Sequence, residues 1–538
     1  MSPFCTRTLR LLSSLVLIVI LLASNLGAAA PAASVELQAV GSYSAGAFNQ
    51  GAAEIVAYDP KTRRLFVVNG AASSIDVLDM SDPTALNLLF SINLLAYGRQ
   101  ANSVAVDKGV VAVAVEAFDK TAPGKVVFYD TDGNFLNAVN VGALPDMLTF
   151  TPNGKAVLVA NEGEPNSYNQ PDSVDPEGSV SIIDLQHGVA RLSQSDVVTA
   201  GFSAFNPATL DASIRIFGPN ASAAQDFEPE YITVSHDSKT AWVTLQENNA
   251  IGVLDIKSGI FTELIGLGFK NHSLTGNGLD ASDRDGPGNT PRINIANWPV
   301  FGLYQPDAIA SFRHHGNTFL ITANEGDARD YTGFSEEKRV SSLALDPTAF
   351  PNAAALKTNA QLGRLNVTSA NGDAGGDGDY DQLYAFGARS FSIRSATGAL
   401  VFDSEDQFEQ ITAQLLPAYF NSSNDSNNSF DTRSDNKGPE PEDVTVGELW
   451  GRTYAFIGLE RIGGIMIYDI TDPFRPFFVQ YINNRNFSGV AEAGTGGDLG
   501  PEGLLLIPGS DSPTHKPLLV VANEVSGTTT VYEISRKS

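Results

Sequence analysis

The 538-residue chain carries 61 Asp and Glu against 34 Lys and Arg, a formal charge of −27 at pH 7. That balance argues against nucleic-acid and anionic-membrane partners, both of which need clustered Lys and Arg. The remaining composition, 43% hydrophobic and 18% charged, is that of a globular chain able to bury a core, and its single cysteine, Cys5, rules out an internal disulfide and a thiolate metal site.

The chain opens on a targeting pattern. Arg7 and Arg10 precede an apolar run over 11–23 and a small-residue stretch over 27–33, which reads as a signal peptide over 1–32. The expected location is therefore secreted, extracellular or periplasmic. From there on, Gly-rich turns separate runs of Val, Ile and Phe, which favours strands over helices. A lone strand is predicted over 35–44. A repeated unit of three short strands follows, first over 54–59, 64–69 and 74–79, then over 102–107, 110–116 and 125–130, and then over 145–150, 156–162 and 178–184. Further copies begin at Pro229, Pro306, Pro441 and Pro501, and a degenerate copy lies over 379–404. Insertions over 186–225, 271–297 and 413–437 interrupt the rhythm. The last holds a Ser/Asn-rich stretch without core-forming residues.

Strands of this length and spacing predict an all-β fold, a single closed β-propeller over 35–534 with seven or eight four-stranded blades and long inserted loops. The final copy lacks a fourth strand, which the lone strand at 35–44 is placed to supply; that closure removes an exposed edge.

Equivalent repeat positions lie on a circle about a propeller axis, so recurring carboxylates predict rings. One series ends the second strand of each copy: Glu116, Glu162, Glu247, Glu325, Glu460 and Glu524, with Asn69 in the first copy. A second series follows a proline at the start of the first strand: Asp146, Glu230, Asp307, Glu442 and Glu502. Like charges so grouped need cations, protonation or protein partners. Hard oxygen ligands would select calcium or magnesium, while loop capping through hydrogen bonds is the alternative. Two Asp/Gly-rich loops add candidate ligands, Asp280, Asp283 and Asp285 in one and Asp373, Asp377, Asp379 and Asp381 in the other; neither follows the EF-hand pattern. Arg389, Arg433 and Lys437 stand in acidic surroundings and fit either ion pairing or phosphate or carbonate binding beside a metal. No Walker loop, G-x-S-x-G or H-E-x-x-H motif occurs, so hydrolysis would have to rest on metal-activated water.

Seven segments resemble one family: ANEGEPN at 160–166, DFEPEYI at 226–232, NGLDASDRDG at 277–286, QPDAIA at 305–310, TANEGDARDY at 322–331, RSDNKGPEPE at 433–442 and LGPEGL at 499–504. Together they are similar to the choice-of-anchor I family, which includes mesenchyme-specific cell-surface glycoproteins of skeletal biomineralisation. The resemblance implies an extracellular or surface propeller associated with calcium mineral, and in many bacterial relatives a loose alkaline-phosphatase label. The ending Ser535-Arg-Lys-Ser offers no apolar tail, so release rather than membrane anchoring is expected. The resulting expectation is a secreted calcium-binding propeller whose partners are divalent cations and phosphate or carbonate mineral or an extracellular protein. A calcium-dependent phosphoesterase acting at the acidic channel mouth is the alternative.

Overall fold

The computed structural model describes residues 34–206 and 208–537, so the leader assigned to 1–32 lies outside the described residues. Second strands such as Arg64–Asn69, Ala156–Asn161 and Leu518–Asn523 are almost wholly buried, because each is covered on both faces by neighbouring sheets. This is why they read as unbroken apolar runs and not as alternating ones. At about 1.5–3 kcal/mol for each fully buried Val, Leu or Phe, these strands anchor the fold. Outermost strands are more open to solvent: Leu88 and Leu89 in Asn87–Asn93 are 45% and 46% exposed.

The described residues form seven four-stranded antiparallel sheets in a β-propeller arrangement. Five are built from four consecutive strands, and their first strands start at Val56, Ala101, Pro145, Pro229 and Pro441. The sheet headed by Pro501–Ile507 takes its fourth strand from the other end of the chain, where Val35–Ser44 pairs antiparallel with Thr528–Arg536. Gly41 is required in that strand, since a Cβ there would lie 2.2 Å from the Pro83 carbonyl oxygen. First strands of successive sheets touch one another, and Pro501–Ile507 in turn touches Val56–Asp59.

The segment over 379–404 is not a separate copy. Its strands Ser390–Ser395 and Leu400–Asp403 complete the sheet begun by Ile309–His314 and Asn317–Asn324, to which Ser390–Ser395 pairs directly. Residues 325–389 interrupt that sheet and contribute strands of their own. Glu337–Arg339, Asn366–Thr368 and Tyr384–Ala385 join Phe269–Asn271 and Phe301–Leu303 in an additional five-stranded sheet. That sheet and its loops enclose their own core around Leu279, Val340, Leu365 and Leu383. The Ser/Asn-rich stretch after helix Gln407–Leu415 is also more ordered than its composition implied: Asn421, Ser422 and Asn424 are buried in hydrogen bonds instead of apolar contacts. Among the described residues no helix is long and apolar enough to cross a membrane.

Candidate functional site

Strand register decides which side chains gather at the end of the sheets. In the third sheet Leu148 opposes Val159, but Pro145 opposes Asn161, so a one-residue irregularity falls at Asp146 and Met147. The same shift recurs after Pro229, Pro441 and Pro501. Proline is tolerated at the first position of a strand, and the bulge re-aims the residue that follows it. Because the first and second strands run antiparallel, the start of one lies beside the end of the next, so the two series of carboxylates do meet at one end of the sheets.

The register also corrects the alignment in two copies. Val56 opposes Val67, which makes Asn69 the counterpart of Asn161 and leaves Gly70 at the glutamate position. A Cβ on Gly70 would come 3.0 Å from a Glu54 carboxylate oxygen, so Glu54 fills that space. In the fourth sheet Pro229 opposes Leu245, which puts Gln246, not Glu247, in the ring. Gln246 donates to Glu325 at 2.8 Å, while Glu247 is displaced by one residue toward Arg329 and Asp327. The crown therefore consists of Glu54, Asp146, Glu230, Asp307, Glu442 and Glu502 from first strands, with Glu116, Glu162, Glu325, Glu460 and Glu524 following second strands.

Two groups within it converge. Carboxylate oxygens of Asp146, Glu162 and Glu230 lie within 4.8 Å of one another, as do those of Glu325, Glu442 and Glu460. A cavity of about 340 Å³ lined by Glu54, Asp146, Glu162, Asp307 and Glu502 opens at the first group, with Tyr231 and Asp443 also on its wall. Two unit charges 4.8 Å apart repel by about 3 kcal/mol at an effective dielectric of 20. The acidities respond accordingly. Burial, followed by the charges of Glu524 and Asp146, pushes the Glu54 carboxyl up to about 8. Burial and neighbouring carboxylates hold Glu162, Glu230, Glu442 and Glu502 well above the ordinary range.

The second group has cations built in. Lys437 contacts Glu325 directly and reaches Glu440 at 3.3 Å, and Arg461 reaches Glu460 at 3.1 Å and Glu440 at 2.9 Å. Arg433 donates to Glu440 at 2.8 Å. Burial opposes ionisation of Glu440, but Lys437, Arg433 and Arg461 together overcome it and bring its pKa down to about 2. Asn424 also donates to Glu460 at 2.7 Å, so the Ser/Asn-rich insertion covers this side of the crown. Glu325 leaves the mouth through Gly326, where φ is +94° and a Cβ would lie 2.2 Å from the Gly387 nitrogen.

The remaining sequence candidates find protein partners. Asp280 accepts from the Asn294 and Ser282 backbone N–H groups, Asp283 is held by Arg364 at 2.7 Å, and Asp285 pairs with Arg292 at 3.1 Å. Those three are not among the described groups of converging ligand atoms. In the other acidic loop, Asp379 and Asp381 do converge, with Asp346 as the third member and not with Asp373 or Asp377. Arg389 donates to Glu409 and to the carbonyls of Asp280, Ser434 and Asn436. Arg389, Arg433 and Lys437 thus all hold protein oxygens. Sequence reasoning left Glu54, Glu164 and Glu228 out of the site; Glu54 follows no proline, but it opens the first copy and repeat alignment could have found it.

Comparison with known proteins places this site in context. The profile of the choice-of-anchor I domain matches residues 54–473. Gigasin-3a of Magallana gigas is 34% identical over 190 residues, which is 33% of this chain and 66% of that protein. The mesenchyme-specific cell surface glycoprotein of Strongylocentrotus purpuratus is 26% identical over 287 residues, 47% of this chain and 36% of that protein. The chain therefore spans less than two thirds of the length of either relative. Among solved structures, hydrazine synthase of Kuenenia stuttgartiensis aligns with 13% identity and a TM-score of 0.43, covering 91% of this chain and 97% of that one. Streptogramin B lyase aligns with 11% identity and a TM-score of 0.43, covering 94% of this chain and 98% of that one.

Proposed function

The chain belongs to the choice-of-anchor I family, and from that premise we propose that it is an exported, closed seven-bladed propeller whose carboxylate crown binds calcium and, through it, phosphate or carbonate mineral or an extracellular partner, without turnover. Closure and blade number are supported by the seven sheets, by the unbroken succession of first-strand contacts and by the pairing of Val35–Ser44 with the C-terminal strand. The extracellular setting is supported by the signal-peptide pattern and by the cell-surface glycoprotein among its relatives.

One observation carries the cation reading: Asp146, Glu162 and Glu230 converge within 4.8 Å, and among the described residues no Lys or Arg pairs with any of them. The donor set is all hard oxygen, which suits calcium, and the buried Oε2 of Glu442 in the second trio has no hydrogen-bond partner. Binding is favoured over phosphoester hydrolysis because Arg389, Arg433 and Lys437, the candidate phosphate holders, are each occupied by protein oxygens. Calorimetric titration with calcium and a melting curve with and without chelator test this reading. Stabilisation by calcium, lost in Asp146→Asn/Glu230→Gln and unaccompanied by hydrolysis of a generic phosphomonoester, is the expected result. Calcium-dependent turnover would move the assignment to the phosphoesterase, and a melting temperature indifferent to calcium would end the cation reading.

A further inference from the structure

The propeller sheet begun by Ile309–His314 ends in a strand that borders the same groove as the edge of a second sheet. Leu400–Asp403 is that outermost strand, and its one sheet neighbour is Ser390–Ser395. Phe269–Asn271 is the outermost strand of the inserted five-stranded sheet, and its one sheet neighbour is Phe301–Leu303. A groove of about 480 Å³ is lined by every residue of both strands, together with Leu274, Asn277, Tyr304 and Glu405. Each strand therefore has an edge whose N–H and C=O groups no ladder takes up among the described residues.

The groove is built before any ligand arrives. The buried Lys270 ammonium donates to the Glu405 carbonyl at 2.6 Å and to the Ala388 carbonyl at 2.9 Å, and it pairs with Asp403 at 3.0 Å. Asp403 also accepts from the hydroxyls of Ser390 and Ser392. The Asp406 N–H donates to the Gly276 carbonyl at 2.9 Å. These contacts join the two strands through groups that are already satisfied, so the groove keeps its width when empty. Its rim is apolar: Leu274 on one side and Leu400 on the other are 55% and 47% exposed. Its unspent charge is negative, because Asp403 is committed to Lys270 while the exposed Glu405 carboxylate makes no ion pair or hydrogen bond among the described residues.

We propose that this groove docks an extended segment of another protein by strand addition, with apolar side chains against Leu274, Leu400 and Phe402 and a Lys or Arg beside Glu405. An added strand presents N–H and C=O groups at the spacing of the ladder itself, which a saccharide does not. A second copy of this chain is disfavoured, since each copy brings a formal charge of −27. Strands rise by about 3.3 Å per residue, so edges this short match a recognised core of about four to six residues. None of these residues belongs to the crown, and the docking needs no calcium.

The experiment selects a random heptapeptide display library against the full-length protein in chelator, with Leu274→Asp/Leu400→Asp as the counter-selection. Both leucines are exposed, so this variant should fold; should it melt below the parent, Glu405→Lys and exchange mapping carry the decision. The expected result is enrichment of sequences that alternate apolar residues and carry a Lys or Arg. The best of them, made as a synthetic peptide, should bind at least tenfold more weakly to either variant. Methylating alternate backbone nitrogens of the peptide should weaken it by a similar factor, and its binding should slow amide hydrogen exchange over 269–271 and 400–403. No enrichment over the counter-selection would overturn the proposal. So would a peptide whose binding survives backbone methylation or leaves those amides unprotected. Self-association of the peptide-free chain that is lost in Leu274→Asp/Leu400→Asp would overturn it in favour of a second copy.

Discussion

The trio of Asp146, Glu162 and Glu230 and the trio of Glu325, Glu442 and Glu460 draw on the same two repeat positions, the first with two first-strand carboxylates and the second with two that follow second strands, yet the protein surrounds their charges differently. On the second side Lys437 and Arg461 stand among the carboxylates, and Glu440 knits them together with Arg433. On the first side no such cation is present among the described residues, and Lys120 and Arg329 are committed to Glu164 and to Asp226 and Glu228. Repetition therefore built the crown, and the loops between the repeats differentiated it: one side carries tethered cations, and the other carries none among the described residues.

The largest effect should come from breaking the tethered side. Glu440→Gln would leave Arg433, Lys437 and Arg461 around a neutral group at a fully buried position, at a cost of about 3–5 kcal/mol, read as a lower urea midpoint. An unchanged midpoint would show that these cations find other partners. Lys437→Met should convert the second trio toward the first. In the absence of calcium it should lose about 3 kcal/mol, and calcium should restore more stability to it than to the parent chain. If calcium restores nothing, the tethered ammonium is not standing in for a metal.

The pH response separates the two sides by sign. Carboxyls raised by folding, such as Glu54 at about 8, favour the folded state below their ordinary value near 4.5, and that contribution is lost as pH rises toward 8. Glu440, lowered to about 2, contributes above its ordinary value and loses that contribution as pH falls from 4.5 toward 2. Calcium-free protein should therefore lose stability on both arms, and saturating calcium should flatten only the alkaline one. Calcium that flattened neither arm would count against metal binding at the crown. The smallest effect is expected at the rim: Arg99 is 58% exposed and lies 3.3 Å from Glu116, so Arg99→Ala should change stability by no more than about 1 kcal/mol, less at high salt.

The acidic series was legible because a propeller repeats its register, and a proline before every first-strand carboxylate except Glu54 marked the position. What misled the alignment was local. Glu247 follows Gln246 closely enough to be taken for the ring residue, and only the pairing of Pro229 with Leu245 resolves the one-residue difference. The copy assigned to 379–404 failed for a related reason. Strands separated by 65 residues of insertion pair as neighbours, and a sequence period cannot show that when the insertion contributes strands of its own.

The sequence by itself determined the all-β repeat, the strand at 35–44 that completes the last sheet, and the end of the sheets at which acid accumulates. Each of these follows from local patterning repeated at a fixed spacing. The tertiary structure alone decided which carboxylates receive a cation from the protein. Lys437, Arg433 and Arg461 belong to loops whose paths are set by long-range packing, and the interaction of buried charges depends on distance and dielectric rather than on position in the chain.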